Sequence, residues 1–198
     1  MSPILRSSKA VTFVAVMSAL GNVLSFLSIT VSPIVPSIPL GLISISLALD
    51  LSHVTTFIAA LFGGPAVGGL TGLVGGLVAA YEFGFSQGNF VTGFGLPVGK
   101  ALTGVTAGII MGRFDLASGR RLLMVPATIA SYLPEGLFTA LLFLFVLPPL
   151  FGLPTSLVRL ITAQILVKAL VEMAVMGLIL AALLGNRGFT DYVRGFFA

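Results

Sequence analysis

Residues 157–184 read LVRLITAQILVKALVEMAVMGLILAALL, an apolar run whose only charges are Arg159, Lys168 and Glu172. A helix needs about 20 mostly apolar residues to cross a hydrocarbon layer of roughly 30 Å, so this stretch reads as a transmembrane helix. The same pattern recurs outward from it, in apolar runs at 8–30, 40–62, 65–83, 95–112 and 124–147. Breakers separate them: Pro33, Pro36 and Pro39, then Gly63-Gly64-Pro65, the segment 84–95, the charged turn Arg113 to Arg121, and Pro148-Pro149 through Pro154. The expected fold is an all-α integral membrane protein, a six-transmembrane-helix bundle forming a single domain over 1–198.

Composition agrees with that reading. The chain is 57% hydrophobic and 8% charged, whereas a soluble domain carries about a quarter charged residues. With no cysteine and a single histidine, disulfides, thiolate nucleophiles and the usual zinc sites are excluded, and no cofactor is expected. There is no Gly-x-x-x-x-Gly-Lys-Ser/Thr loop, Gly-x-Ser-x-Gly elbow or His-Glu-x-x-His pair, so the chain is not read as an enzyme and would not energise transport with nucleotide by itself. Arg6 and Lys9 precede an apolar run too long for a signal peptide, Ala10 to Ile29, which reads as a retained first helix.

The net charge of +4 comes from basic residues at span ends, which argues for membrane topology and against a nucleic-acid partner. Six spans put both ends on one side, and Arg6, Lys9, Arg113, Arg120, Arg121, Arg187 and Arg194 fall there, while loops 31–39 and 84–95 hold no Lys or Arg. By the positive-inside rule both termini are expected in the cytoplasm of a multi-pass plasma-membrane protein. Gly64, Gly68, Gly72 and Gly76, with Gly104, Gly108 and Gly112, form four-residue stripes that let helices approach closely. Ala15 and Ala19 make a small-xxx-small pair for packing internally or against another membrane subunit.

Ionisable groups within spans are costly and usually face a cavity or a partner. Asp50, His53, Glu82, Lys100, Glu135, Arg159, Lys168 and Glu172 make up this set. Gln164, Lys168 and Glu172 repeat every four residues, a polar seam on one helix face. The seam reads either as a binding wall or as mutual neutralisation of Lys168 and Glu172 with Glu135 as cross-helix partner. Lys100, Glu135, Arg159, Gln164 and Lys168, with Asn89 from the outer segment, are the expected substrate-binding residues. Segment 84–95 carries Phe85, Phe90, Phe94, Gln87, Asn89 and Thr92, chemistry for a lid or for an ordinary interfacial loop. Asp50 and His53 stand one turn apart, as a capping or loop-anchoring pair more readily than a catalytic one.

Leu49-Asp50-Leu51-Ser52-His53-Val54, then Leu61-Phe62-Gly63-Gly64-Pro65-Ala66-Val67-Gly68, together with Ala15-x-x-x-Ala19, resemble the substrate-binding S components of energy-coupling factor (ECF) vitamin transporters. The likeness in size and span number covers essentially the whole chain. His53 and Thr55-Thr56 stand where the riboflavin-type subfamily shows an acidic residue and a proline. The resemblance implies capture of a water-soluble vitamin or related molecule from the outer face, and docking on a transmembrane coupling subunit through Ala15 and Ala19. It also implies two ATPase subunits as partners, and it likens Lys168 to a lysine some members use on their ligand. The competing readings are a proton- or ion-coupled secondary transporter relaying through Glu135, Lys168 and Glu172, a small intramembrane enzyme at Asp50 and His53, and a purely structural membrane subunit.

Overall fold

A computed structural model describes residues 7–35, 37–40, 43–46 and 49–197, the two short central segments by their backbone only; Arg6 and Pro36 lie outside the described residues. The first helix, α1 (Ser8–Val31), ends at a single 3-10 turn, Ser32–Ile34, on Pro33. Helix was expected from residue 40, but the chain makes an antiparallel hairpin there, β1 (Ser37–Leu40) with β2 (Ile43–Ser46), Leu40 opposite Ile43. The physical reason is legible afterwards: Ile43-Ser44-Ile45-Ser46 alternates with period two, and Pro39 cannot sit inside a helix without loss of a hydrogen bond. Helix begins at Ser52.

That helix, α2 (Ser52–Gly75), is broken at Gly64, whose φ of 78° and ψ of −172° are open essentially only to glycine. Pro65 then opens the second arm with a pre-set φ. The arms 52–63 and 65–75 fold back on each other: a Cβ placed on Gly68 would stand 2.6 Å from the Cβ of Ala60, eight residues earlier, where a straight helix would separate them by about 12 Å. After a kink at Gly76 come α3 (Leu77–Phe83) and α4 (Phe90–Arg113). The glycine stripes do what their spacing implies, since Gly68 and Gly72 meet the backbone of α4 at Gly104 and Lys100, and Gly108 meets Pro65. Any side chain there would push the two backbones apart.

The chain continues through α5 (Met124–Leu141), a π-helical turn Leu142–Val146, α6 (Leu147–Phe151), α7 (Thr155–Gly185) and α8 (Arg187–Phe197). The last is an amphipathic helix not expected from the apolar runs; its Phe196 and Phe197 rings lie 5.7 and 4.8 Å from that of Phe13, and Phe189 meets Phe62 at 6.3 Å. Arg194 of α8 donates to the Ala117 carbonyl. One end of the bundle therefore gathers the start of α1, the Gly64 break, the turn 113–123 and α8, while the opposite end gathers the close of α1, the start of α2 and the α3–α4 turn.

Five helical stretches are long and apolar enough to cross a membrane: Ser8–Ile34, Ser52–Gln87, Phe90–Arg113, Arg121–Phe151 and Thr155–Gly185. The arm 52–63 rises only about 18 Å and is counted within the second of these. Phe57, Met111, Met124, Met173, Met176 and Leu180 form the dry centre, whereas Val11, Val16, Val23, Phe26, Leu133 and Leu137 are exposed. Apolar side chains outside as well as inside are what a lipid solvent permits.

Candidate functional site

Toward the end of the bundle holding the α3–α4 turn, the starts of α2 and α4 diverge from α5 and α7 around a cavity of about 490 Å³. Helical periodicity sets two of its walls. On α5, Tyr132, Glu135 and Thr139 stand at i, i+3 and i+7; on α7, Ile165, Lys168, Ala169, Glu172 and Met173 share one face. From the other side come Asp50 and His53 at the head of α2, Phe83 closing α3, and Asn89, Thr92 and Leu96 opening α4. Polar and charged side chains thus alternate with apolar ones around the wall, and convergent polar groups in an apolar surround are what orient a small molecule. A narrower hollow of about 90 Å³ shares Asp50, Phe83 and Lys168 and extends past Ser25 and Ser28 of α1 to Ser32 of the turn that follows it. Elsewhere, a hollow of about 330 Å³ beside the end of α1 is walled by Leu24, Leu27, Val31, Val35, Leu49 and Leu51 with Ser28. It lacks charged groups to orient a water-soluble molecule.

The ionisable side chains form one connected set. Asp50 Oδ1 accepts the Ser52 N–H at 3.0 Å, satisfying an orphan donor at the start of α2. Its Oδ2 lies 3.1 Å from Lys100 Nζ, which also donates to the Ser52 hydroxyl. The Asp50 N–H donates to Glu172 Oε1 at 3.0 Å, and the same oxygen lies 3.5 Å from Lys168 Nζ. Asp50 therefore anchors the entry to α2 at both α4 and α7, the loop-anchoring role its position implies. His53 stands between two carboxylates, Nδ1 at 3.9 Å from Asp50 Oδ2 and Nε2 at 3.6 Å from Glu135 Oε2. Only 6% exposed, its ring makes no hydrogen bond among the described residues. The Thr103 hydroxyl donates to Glu135 Oε2.

Of the expected binding residues, Asn89, Glu135 and Lys168 line the cavity. Asn89 also caps α4, its side chain accepting the Thr92 N–H at 3.0 Å. Lys100 does not line it: only 4% exposed, its ammonium is engaged by Asp50 and Ser52. Arg159 is exposed on the second turn of α7, and Gln164, half-buried, is likewise outside the lining. The shared depth read from the sequence did not specify which way each helix is rotated. Glu135 is a neighbour of His53 and Thr103, not the cross-helix partner of Lys168, although Lys168 and Glu172 do pair one turn apart.

Tyr132, Thr139, Phe83 and Phe143 line the cavity without having been singled out for it, and Thr92, expected only as part of a lid or interfacial loop, lines it as well. The spacing of Tyr132 and Thr139 from Glu135 was the available signal. The segment 84–95 is less of a loop than expected, with 3-10 structure at Phe85–Gln87 and helix from Phe90. Phe85 packs edge-on against Phe90 and Phe94 at 6.0 and 5.1 Å. Ala15 and Ala19 are exposed on α1, flanking the buried Ser18, whose hydroxyl donates to the Thr71 carbonyl at 3.3 Å.

A family model described as ECF transporter, substrate-specific component, matches residues 9–184. No curated protein and no solved structure matches the chain. Components of this kind capture substrate for an importer and are not themselves catalytic enzymes. The match runs from the first turn of α1 to the last of α7, and the chain belongs to the family of substrate-specific components of ECF transporters.

Proposed function

We propose that the 490 Å³ cavity is the capture site and that it takes a water-soluble, vitamin-sized molecule from the outer face of the membrane. The observation that carries this is the convergence of Asp50, His53, Glu135, Lys168 and Glu172 on one hollow inside a bundle otherwise almost free of charge. Buried charges without a ligand to serve are costly in a membrane protein. Asn89, Glu135 and Lys168 contact the ligand, and Lys168 donates to an acceptor on it. Lys100 holds Asp50 in place, while Arg159 and Gln164 belong to the approach along α7.

The bundle end carrying Lys9, Arg113, Arg120, Arg121, Arg187 and Arg194 faces the cytoplasm in this reading, which places the cavity toward the outer leaflet. The arm 52–63 with the preceding hairpin then makes the sixth passage. Ala15 and Ala19 dock on the transmembrane coupling subunit, and two ATPase subunits supply the energy. The test is mass spectrometry of small molecules released on denaturing the purified chain. A vitamin-sized compound in stoichiometric amount is expected from wild type and not from Thr139→Trp, which fills the cavity. Equal recovery from both would place capture elsewhere.

A proton- or ion-coupled transporter would also use Glu135, Lys168 and Glu172. The family match favours capture, because its members are substrate-binding subunits of an importer.

A further inference from the structure

The charge balance of the cavity goes further than its size. Three carboxylates line it, Asp50, Glu135 and Glu172, against one ammonium, that of Lys168. Two of the three are compensated: Asp50 by Lys100 at 3.1 Å and Glu172 by Lys168 at 3.5 Å. Glu135 has no Lys or Arg within ion-pair distance among the described residues; it has only the Thr103 hydroxyl and the ring of His53. Both nitrogens of His53 and the hydroxyl of Thr92 make no hydrogen bond among the described residues and are buried behind the cavity surface, so the ring of His53 screens Glu135 without an ammonium's fixed charge. Beside them stand the rings of Phe83, Tyr132 and Phe143.

Lys100 is consumed by Asp50 and Arg159 lies outside the cavity, so neither offsets the charge of Glu135. A site with one uncompensated carboxylate in low dielectric attracts a cation and repels an anion, and the effect is larger there than in water. We propose that the ligand is a compact aromatic base carrying an N–H donor, which donates to Glu135 and leaves its ring between the aromatic walls. Specificity between bases and acids of the same shape then resides in Glu135. This inference rests on the cavity being the capture site.

The experiment titrates ligand-free purified chain, in detergent at neutral pH, with benzamidinium and benzoate, two probes of one shape and opposite charge. Binding is read by calorimetry for wild type, Glu135→Gln, Thr139→Trp and, from the opposite wall, Leu96→Trp. The two Trp variants guard against one of them failing to fold. Expected are at least tenfold tighter binding of benzamidinium than benzoate, loss of that binding in a folded Trp variant, and near-equal binding of the two probes by Glu135→Gln. Benzoate bound as tightly or more tightly, and blocked by tryptophan, overturns the charge assignment while leaving the cavity as the capture site. A cation preference that persists in Glu135→Gln overturns the role of that residue. Absence of binding by either probe, or binding unaffected by both Trp variants, overturns the inference together with the cavity reading beneath it.

Discussion

Lys100 Nζ stands 3.1 Å from Asp50 Oδ2, an ion pair joining residues fifty positions apart and tying the entry of α2 to the middle of α4. The pair is structural in consequence, because the ammonium is buried and already shared between Asp50 and Ser52. Removing the ammonium strands Asp50, whose side chain keeps 29% exposure, so the cost is below that of a fully buried pair, at about 1–3 kcal/mol. Lys100→Met is therefore expected to lower the unfolding temperature of the ligand-free protein markedly, and Asp50→Asn added to it to restore part of the loss. Unchanged thermal stability of the single variant would show that the pair does not hold the helix entry.

Lys168 is expected to behave in the opposite way. Its side chain is 32% exposed and its contact with Glu172 is longer, at 3.5 Å; Glu172, 9% exposed, keeps the Asp50 N–H as a donor when the ammonium is removed, so the expected loss is about 1 kcal/mol. Lys168→Met should leave ligand-free stability close to wild type while reducing the amount of co-purifying small molecule. A large drop in stability, rescued by Glu172→Gln, would make Lys168 a counter-ion only.

Gly64 occupies a backbone conformation that costs other residues about 1–3 kcal/mol. A Cβ there would meet no atom within 4 Å, so Gly64→Ala isolates the backbone term. Thermal unfolding should show destabilisation of that order, and an unaffected midpoint would mean that the arms 52–63 and 65–75 are joined by some other geometry.

Ala15 and Ala19 project from α1 away from the bundle. Ala15→Trp or Ala19→Trp is expected to abolish uptake in cells expressing the full transporter, with calorimetric binding by the isolated subunit intact. Loss of binding in the isolated subunit would instead place the pair inside its own packing.

The orientation can be read with reporters fused after residues 35, 90 and 152, all of which should report the outer side. A cytoplasmic signal at any of them would reverse or break the topology and remove the cavity from the face where substrate arrives.

Some of the architecture was legible without coordinates because its cause is local. Apolar runs interrupted by Gly63-Gly64-Pro65 or Pro148-Pro149 announce helices and breaks through chain stiffness and transfer energy, which act over a few residues. The glycine stripes likewise stated that helices would meet there. The hairpin at Ser37–Ser46 was missed because an apolar run of either periodicity contributes the same hydropathy. Helix α8 was missed because only half its surface is apolar.

The sequence by itself determined that this is a membrane protein with a few ionisable side chains at membrane depth, because hydropathy sums over neighbours in the chain. Only the tertiary structure decided which of those side chains meet. Lys100 and Lys168 are equivalent as sequence, each a lysine in an apolar helix. Yet the rotation of α4 presents one to Asp50 and Ser52, and the rotation of α7 leaves the other beside Glu172 on the cavity wall. Rotation of a nearly uniformly apolar helix is set by small-residue contacts such as Gly68 on Gly104, not by its own hydrophobic pattern, since lipid and protein interior are alike to a leucine.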